Sequence, residues 1–121
     1  MDMTGKYVDG FVVPVPKKNI DAYKAFSEKA GKVWKKHGAL EYVECVEDDV
    51  KPGKVTSFPQ AVKLEEDEVV VFSWIVYPSR QERDRINAAV MSDPDLKMDP
   101  KSMPFDGMRM FFGGFDVLLA L

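Results

Sequence analysis

The chain has 121 residues, of which 45% are hydrophobic and 31% charged, a composition typical of one globular domain. Its net charge of −3 disfavours sequence-independent binding to nucleic acid, which requires clustered Lys and Arg side chains. No apolar run approaches the roughly 18 residues of a membrane helix, and the first residues lack the apolar stretch of a secretion signal. The single cysteine, Cys45, excludes an internal disulfide framework and fits a reducing compartment. We expect one cytoplasmic domain over residues 1–121 with no membrane or nucleic-acid partner.

The first part of the chain predicts a strand, a long helix and a second strand. Residues 6–15 form the first strand, because aromatic and β-branched side chains predominate until Pro14 and Pro16 break the pattern. Residues 19–37 form a helix, since apolar side chains recur there every three or four positions. Residues 40–46 alternate between apolar and polar side chains, which is typical of an edge strand with one partly wet side.

The middle of the chain has the least regular pattern. Residues 51–54 read Lys-Pro-Gly-Lys and predict a turn. A short strand broken by Pro59 is expected within residues 55–64, and the acidic residues 65–68 predict a second turn.

Residues 69–77 form a strand that is apolar on both faces, so both faces must be covered. Ser79 and Glu82 then have the spacing of a capping box, which predicts a helix over 80–91. A proline-rich connection follows over residues 94–104. Residues 108–121 form the last strand, in which the glycine pair at 113 and 114 indicates a bulge, a bend or a close backbone approach.

This order of elements, βαββαβ, is that of a ferredoxin-like α+β fold, an antiparallel sheet with both helices on one face. The opposite face then exposes apolar side chains that the two helices cannot cover. A large bare apolar patch usually marks an interface. We therefore expect a homodimer that packs sheet against sheet. The alternative is that residues 94–107 fold over the sheet.

Several segments together resemble the uncharacterised YbaA-like family, which belongs to the dimeric α/β-barrel superfamily. The resemblance spans nearly the whole chain. It implies a ferredoxin-like fold that dimerises through its sheets, as in small monooxygenases, haem-degrading enzymes and stress-responsive barrel proteins. It implies no particular activity, because fold alone does not define function. The segments that carry it are Tyr7-Val8-Asp9-Gly10-Phe11, His37-Gly38-Ala39-Leu40-Glu41-Tyr42, Ser57-Phe58-Pro59, Phe72-Ser73-Trp74-Ile75-Val76-Tyr77-Pro78-Ser79, Pro104-Phe105-Asp106-Gly107-Met108-Arg109-Met110 and Gly113-Gly114-Phe115.

Three titratable residues are candidate catalytic groups. Asp9 lies in an apolar strand expected at the sheet centre, where a carboxylate needs a cation or has its pKa raised by burial. Arg109, near the start of the neighbouring last strand, is its candidate partner. The pair is either architectural or a site for an anionic ligand or a base. His37, the only histidine, either ends the first helix or looks with Trp34 into a pocket between helix and sheet.

Four further residues are candidate ligand contacts. The aromatic side chains of Trp34, Tyr42 and Trp74 would line the pocket, and Asp106 lies in a predicted turn at the entrance of the last strand. The chain has no Walker loop or dinucleotide fingerprint, and one histidine argues against a multi-histidine metal site. We expect no metal and no cofactor, although haem bound by His37 stays an alternative.

Three functions remain open at this point. The first is a small-molecule enzyme, either a cofactor-independent oxygenase or an isomerase. The second is a non-catalytic dimer that binds, carries or senses a small apolar ligand, as in a stress-related protein. The third, an RNA platform on sheet aromatics, is disfavoured by the acidic charge balance.

Overall fold

The computed structural model describes residues 3–121, so the first two residues of the expected domain lie outside the described part. A short 3₁₀ turn at Lys17–Asn19 links the first strand to the first helix. The strands and helices closely follow the predicted order. They are β1 Tyr7–Pro16, α1 Ile20–Lys36, β2 Glu41–Val46, α2 Phe58–Ala61, β3 Glu68–Tyr77, α3 Arg80–Met91 and β4 Phe111–Asp116.

The four strands form one antiparallel sheet in the order β2-β3-β1-β4. β1 and β3 occupy the middle and pair along their full length, from Tyr7 opposite Tyr77 to Pro16 opposite Glu68. This confirms the predicted ferredoxin-like α+β fold. The two apolar strands are central, as their lack of polar alternation required.

α1 and α3 both pack on one face of the sheet, which we call the inner face. Val33 of α1 and Ile86 of α3 share a core cluster with Ile75 and Tyr77 of β3. Ile86 and Tyr77 are fully buried. The burial of these large apolar side chains holds the helix layer to the sheet.

α2 covers one end of the opposite, outer face, and this corrects the predicted short strand over 55–64. The Ser57 hydroxyl accepts a hydrogen bond from the Gln60 amide at 3.2 Å, so the chain starts a helix there, with Pro59 in its first turn where no amide donor is needed. Val62, just after α2, packs on Val12 and Val70 of the outer face.

The alternative in which residues 94–107 cover the outer face is wrong, because that connection packs on the inner side. Phe105 contacts Tyr23 and Phe26 of α1, with ring centroids 5.6 and 5.8 Å away. The uncovered part of the outer face thus keeps exposed aromatic side chains. These include Phe72, Phe111 and Phe115.

The last strand is shorter than expected. β4 ends at Asp116, whereas residues 108–121 were predicted to be a strand. Residues 117–121 follow without regular structure, and Leu118 and Leu121 are exposed. Within residues 3–121 no helix has the length and apolarity required to cross a bilayer.

Candidate functional site

A cavity of about 110 Å³ lies between α1 and the inner face of the sheet. Its lining is mainly aromatic and aliphatic, which suits a small apolar ligand. Residues from α1, β1, β2, β3 and the 94–110 connection contribute. They include Phe11, Val13, Tyr23, Phe26, Ser27, Ala30, Trp34, Tyr42, Glu44, Ser73, Ile75, Met98, Phe105 and Met110.

The connection between α3 and β4 closes one side of this cavity. Phe105 packs edge-on against Tyr23 and Phe26, and Met98 and Met110 complete the wall. Asn19, the N-cap residue of α1, accepts no capping hydrogen bond through its side chain. Its side-chain amide donates instead to the Pro104 carbonyl at 3.2 Å. This bond ties the connection to the helix.

A larger groove of about 680 Å³ runs along the outside of the same site, between α1 and the edge strand β2. Lys24 and Glu28 of α1 and Val46 of β2 line it. The groove and the cavity share four lining residues, so a ligand in the groove would reach the cavity past them. The shared residues are Tyr23, Ser27, Tyr42 and Glu44.

Glu44 is the only carboxylate that lines both spaces, and hydroxyl groups surround it. The Tyr23 hydroxyl donates to Glu44 Oε2 at 2.8 Å. Burial raises the pKa of the Glu44 carboxyl, although hydrogen bonds from Tyr23, Tyr42, Ser27 and Ser73 act in the opposite direction. The carboxyl is therefore protonated more readily than an exposed glutamate.

The two tyrosine hydroxyls at this position stay neutral over a wide pH range. Burial raises the pKa of Tyr23, and the neighbouring Glu44 carboxylate raises it further. The same two causes raise the pKa of Tyr42. Both hydroxyls are therefore hydrogen-bond donors at physiological pH.

Local sequence explains why these groups meet. Glu44 pairs with Ser73 in the β2–β3 register, so both face α1. Gly31 lets α1 approach β2 closely, because a Cβ at this position would lie 2.7 Å from Tyr42 Cδ1. The ring of Tyr42 fills that space and contacts Trp34 at 5.9 Å between centroids.

Asp9 is buried, as expected, but belongs to a separate polar network next to the cavity. The Tyr77 hydroxyl lies 2.9 Å from Asp9 Oδ2, and Arg83 Nε lies 3.3 Å from Asp9 Oδ1. Asn87 Oδ1 accepts from Trp34 Nε1 at 3.0 Å and lies 3.1 Å from the Tyr77 hydroxyl. The network therefore fixes the orientation of Trp34 in the cavity wall.

Arg109 does not pair with Asp9, so the predicted Asp9–Arg109 contact is wrong. Arg109 donates to both Glu68 carboxylate oxygens, at 2.7 and 2.6 Å, and to Asp106 Oδ2 at 2.7 Å. β1 and β4 are neighbours as expected, but Asp9 lies opposite Gly114, whereas Arg109 precedes β4 and turns towards the start of β3. The partner of Asp9 comes from α3 instead.

The Arg109 cluster holds the connection that closes the cavity. Hydrogen bonds from Arg109 hold the pKa of Glu68 and that of Asp106 below their usual ranges. Asp106 also accepts from the Met108 amide at 2.9 Å, which confirms the predicted turn. Neither Arg109 nor Asp106 lines the cavity, and both lie on the segment that carries Phe105.

His37 lies at the end of α1 and does not line the cavity. Its Nε2 is 2.6 Å from Asp93 Oδ2, and the Lys36 ammonium lies equally close to the same oxygen. Hydrogen bonds from Lys36, from the Asp95 amide and from His37 hold the pKa of Asp93 well below its usual range. His37 thus ties the end of α1 to Asp93, just after the end of α3.

The structure brings together only some of the predicted site residues. Trp34 and Tyr42 line the cavity through their rings, and Trp74 borders it while its ring lies against Phe72 on the outer face, 5.7 Å between centroids. Catalytic roles for Asp9, His37 and Arg109 stay predictions. Sequence reasoning missed Glu44 and Tyr23. Glu44 was detectable, since it has the same parity as Tyr42 and Val46 on the apolar side of β2.

Within residues 3–121, no group of three or more His, Cys, Asp or Glu side chains has the arrangement of a metal site. The Asp93 carboxylate is engaged by Lys36 and His37.

An antiparallel sheet with two helices on one face defines a small ferredoxin-like α+β protein, and here a cavity lies between α1 and that sheet. Residues 6–107 match the family described as "Protein of unknown function (DUF1428)", and the chain belongs to this family. The chain is 55% identical over 114 residues to the uncharacterized protein YbaA of Escherichia coli K12, which covers 94% of this chain and 97% of that protein. The Shigella flexneri YbaA gives the same values. The resemblance to the YbaA-like family is thus confirmed.

Two solved structures share the fold. A mutant of SnoaB, a cofactor-independent oxygenase from Streptomyces nogalater, superposes with a TM-score of 0.62 at 10% identity, over 98% of both chains. An uncharacterized NIPSNAP-like domain protein from Burkholderia xenovorans gives a TM-score of 0.53 at 11% identity, over 97% of this chain and 90% of that one. At these identities the likeness concerns the fold alone.

Proposed function

We propose that this protein is a cofactor-independent enzyme that acts on a small apolar molecule in the cavity between α1 and the sheet. One observation carries the proposal. Glu44, a partly buried carboxylate with a raised pKa, lies where the cavity meets an open groove. A titratable group with a perturbed pKa in such a pocket has the properties of a general acid or base.

The fold of the oxygenase SnoaB supports the proposal at the level of architecture. SnoaB is a cofactor-independent oxygenase, so a protein with this fold can carry out a reaction that needs no cofactor. At 10% identity the likeness does not extend to the reaction, which depends on the side chains that line the cavity of this chain.

A second candidate is a non-catalytic protein that binds a small apolar ligand. The aromatic and aliphatic lining of the cavity favours it, because such a lining binds apolar molecules without any chemical step. The two candidates share the cavity and differ in whether a product forms.

We further propose that two copies associate through their outer sheet faces. The exposed rings of Phe72, Phe111 and Phe115 support this, because an apolar patch of this kind usually marks an interface. The only charged residues on the outer-face positions of the paired strands lie at strand ends. They are Glu41, at the start of β2, and Glu68, which is paired with Arg109.

The test of the proposed site is a thermal-shift titration with 1-indanone and 1-naphthol, followed by mass spectrometry of the incubated compounds. Both compounds are larger than the 110 Å³ cavity and would extend from it into the adjoining groove. Stabilisation by either compound indicates binding to the native state. Ser27→Trp, which fills the cavity from α1, should abolish the shift, whereas Lys32→Trp on the exposed side of α1 should keep it. A new product supports the enzyme, and a shift without product supports the ligand-binding protein. If Ser27→Trp keeps the shift, the cavity is not the site.

A further inference from the structure

Unlike the almost fully buried carboxylates Asp9, Glu68 and Asp93, Glu44 has no cationic partner among residues 3–121. Half-buried Glu47 also lacks one, but it accepts from the Val70 amide and lines neither the cavity nor the groove. Asp9 pairs with Arg83, Glu68 with Arg109, and Asp93 with Lys36 and His37. No ion pair among residues 3–121 involves Glu44, whose hydrogen-bond donors are neutral hydroxyl groups, among them that of Tyr23 at 2.8 Å. A carboxylate with an architectural role is normally neutralised by a cation, since its burial otherwise costs free energy.

The position of Glu44 also differs from that of the paired carboxylates. Asp9, Glu68 and Asp93 do not line the cavity, whereas Glu44 lines both the cavity and the groove. The side chain is held from α1 by Tyr23 and lies opposite Ser73 of β3. It is therefore fixed in place and still in contact with the space that a ligand would occupy.

We propose, on the basis of the proposed function, that Glu44 is the base of a proton transfer on a small uncharged carbonyl compound, and that the Tyr23 and Tyr42 hydroxyls hydrogen-bond the resulting enolate oxygen. The aromatic lining selects an apolar, planar compound, because it provides ring contacts and no cation for an anionic group. The substrate class is thus a neutral ketone or aldehyde with a hydrogen on the carbon next to the carbonyl.

The reaction balances without a further reagent. The Glu44 carboxylate takes the proton from the carbon next to the carbonyl, and the electron pair of the broken C–H bond forms a C=C bond. The carbonyl π pair moves onto the oxygen. Once Glu44 is protonated it is no longer an anion, so the Tyr23 and Tyr42 hydroxyls turn their single hydrogens from Glu44 to this oxygen and stabilise its charge. Return of the proton from Glu44 to the same or a conjugated carbon restores the carboxylate and completes an exchange or an isomerisation.

The side chains around Glu44 are compatible with this role. The titratable groups that line the groove with it are Tyr23, Lys24 and Glu28 of α1 and Tyr42 and Cys45 of β2. β3 contributes Ser73 and Val71, which do not titrate. Two of the other residues that line both the cavity and the groove are tyrosines, and both remain protonated near neutral pH. Glu44 is therefore the residue at this position that can accept a proton.

The experiment follows the exchange of the α-hydrogens of 1-indanone in D₂O by proton NMR, with the purified full-length protein. The wild type should exchange them faster than buffer, and Glu44→Gln should slow the protein-dependent rate by about 100-fold or more, the usual contribution of a general base. Tyr42→Phe should slow it by a smaller factor. Glu41→Gln, an exposed glutamate on the same strand, should not change it.

Titration of tryptophan fluorescence with 1-indanone separates the two proposals, because Trp34 lines the cavity. Binding without exchange would overturn proton transfer by Glu44 and leave the binding site in place. Absence of both binding and exchange would overturn the two proposals together. Equal exchange rates for wild type and Glu44→Gln would assign any activity to another group.

Discussion

Tyr23 of α1 and Glu44 of β2 meet across the gap between helix and sheet, with the hydroxyl 2.8 Å from the carboxylate. This contact joins the two sides of the cavity entrance. It also places a proton acceptor and a proton donor in one partly buried position. The stability of the protein should therefore depend on the protonation of Glu44.

Replacement of Glu44 by Gln should stabilise the protein at neutral pH. Since burial raises the pKa of Glu44 in the folded state, the folded state retains the proton to higher pH than the unfolded state does. The contribution of Glu44 to the free energy of unfolding is thus favourable below the ordinary carboxyl pKa, and it is lost as pH rises through the raised pKa of the folded state. Glu44→Gln should raise the Tm at pH 7.5 by roughly 3 °C, as about 1 kcal/mol would. In calorimetry, the difference in Tm between Glu44→Gln and the wild type should shrink towards pH 4. An equal difference in Tm at pH 4 and pH 7.5 would contradict the raised pKa.

Loss of Arg109 should destabilise the fold, because it leaves the buried Glu68 carboxylate without its cation. Arg109→Met should cost roughly 3 kcal/mol at pH 7 in urea unfolding. Hydrogen bonds from Arg109 lower the pKa of Glu68 in the folded state. The stabilisation by this pair is therefore present above the ordinary carboxyl pKa and is lost as pH falls through the lowered pKa of folded Glu68. Arg85→Met, which breaks an exposed pair with Glu82, is the control and should change the midpoint little.

The two adjacent glycines of β4 should differ in their tolerance of alanine. A Cβ at Gly114 would overlap the Arg83 guanidinium and the Tyr7 hydroxyl, whereas one at Gly113 would make an ordinary contact with Phe115 at 3.8 Å. Gly114→Ala should thus cost about 1–3 kcal/mol of unfolding free energy, the usual range for overpacking. Gly113→Ala should be near neutral. If Gly114→Ala is as close to neutral as Gly113→Ala, the Arg83 and Tyr7 side chains move aside freely.

If the outer faces pair, sedimentation equilibrium of the wild type should give twice the 13.7 kDa mass of one chain. Phe115→Asp should give monomers, because a carboxylate at an exposed outer-face position would be buried without a partner in the dimer. Val55→Asp, in an exposed loop, serves as the matched substitution and should leave the mass unchanged. A wild type that sediments as a monomer at micromolar concentration would disprove the proposed interface.

His37→Asn should retain binding to the cavity, because the imidazole contacts Asp93 and does not line the cavity. The variant should instead lower the Tm at pH 7 through the weakened contact between α1 and the end of α3. Fluorescence titration with 1-indanone checks the binding. A loss of affinity at unchanged Tm would restore His37 as a site residue.

The fold was predictable because its strongest signals are local. The apolar run at 69–77 and the capping box of Ser79 and Glu82 define β3 and α3 almost to the residue, and the Ser79 hydroxyl does accept from the Glu82 amide at 3.1 Å. The sequence pattern does not predict α2, because Pro59 suggests a break in a strand, although proline is well suited to the first turn of a helix.

The site was less predictable, because it depends on which side chains face one another across elements. Trp34 and Tyr42 were found from aromatic character and helix periodicity. The partner of Asp9 was not, since the choice between Arg83 and Arg109 depends on where α3 crosses the sheet. Glu44 was overlooked as an ordinary polar residue of an edge strand, although strand parity places it on the inner face.

β2, the strand that carries Glu44, hydrogen-bonds to a neighbouring strand on one side only. The opposite wall of the cavity is formed by α1, which is anchored separately through Val33 and the core around Ile75. The entrance can therefore widen by local fraying of six residues while the central pair β1 and β3 remains intact. The amide hydrogens of β2 should then exchange with solvent sooner than those of β3. For a ligand of the proposed cavity site, the fraying of this one edge strand would limit the rates of entry and exit.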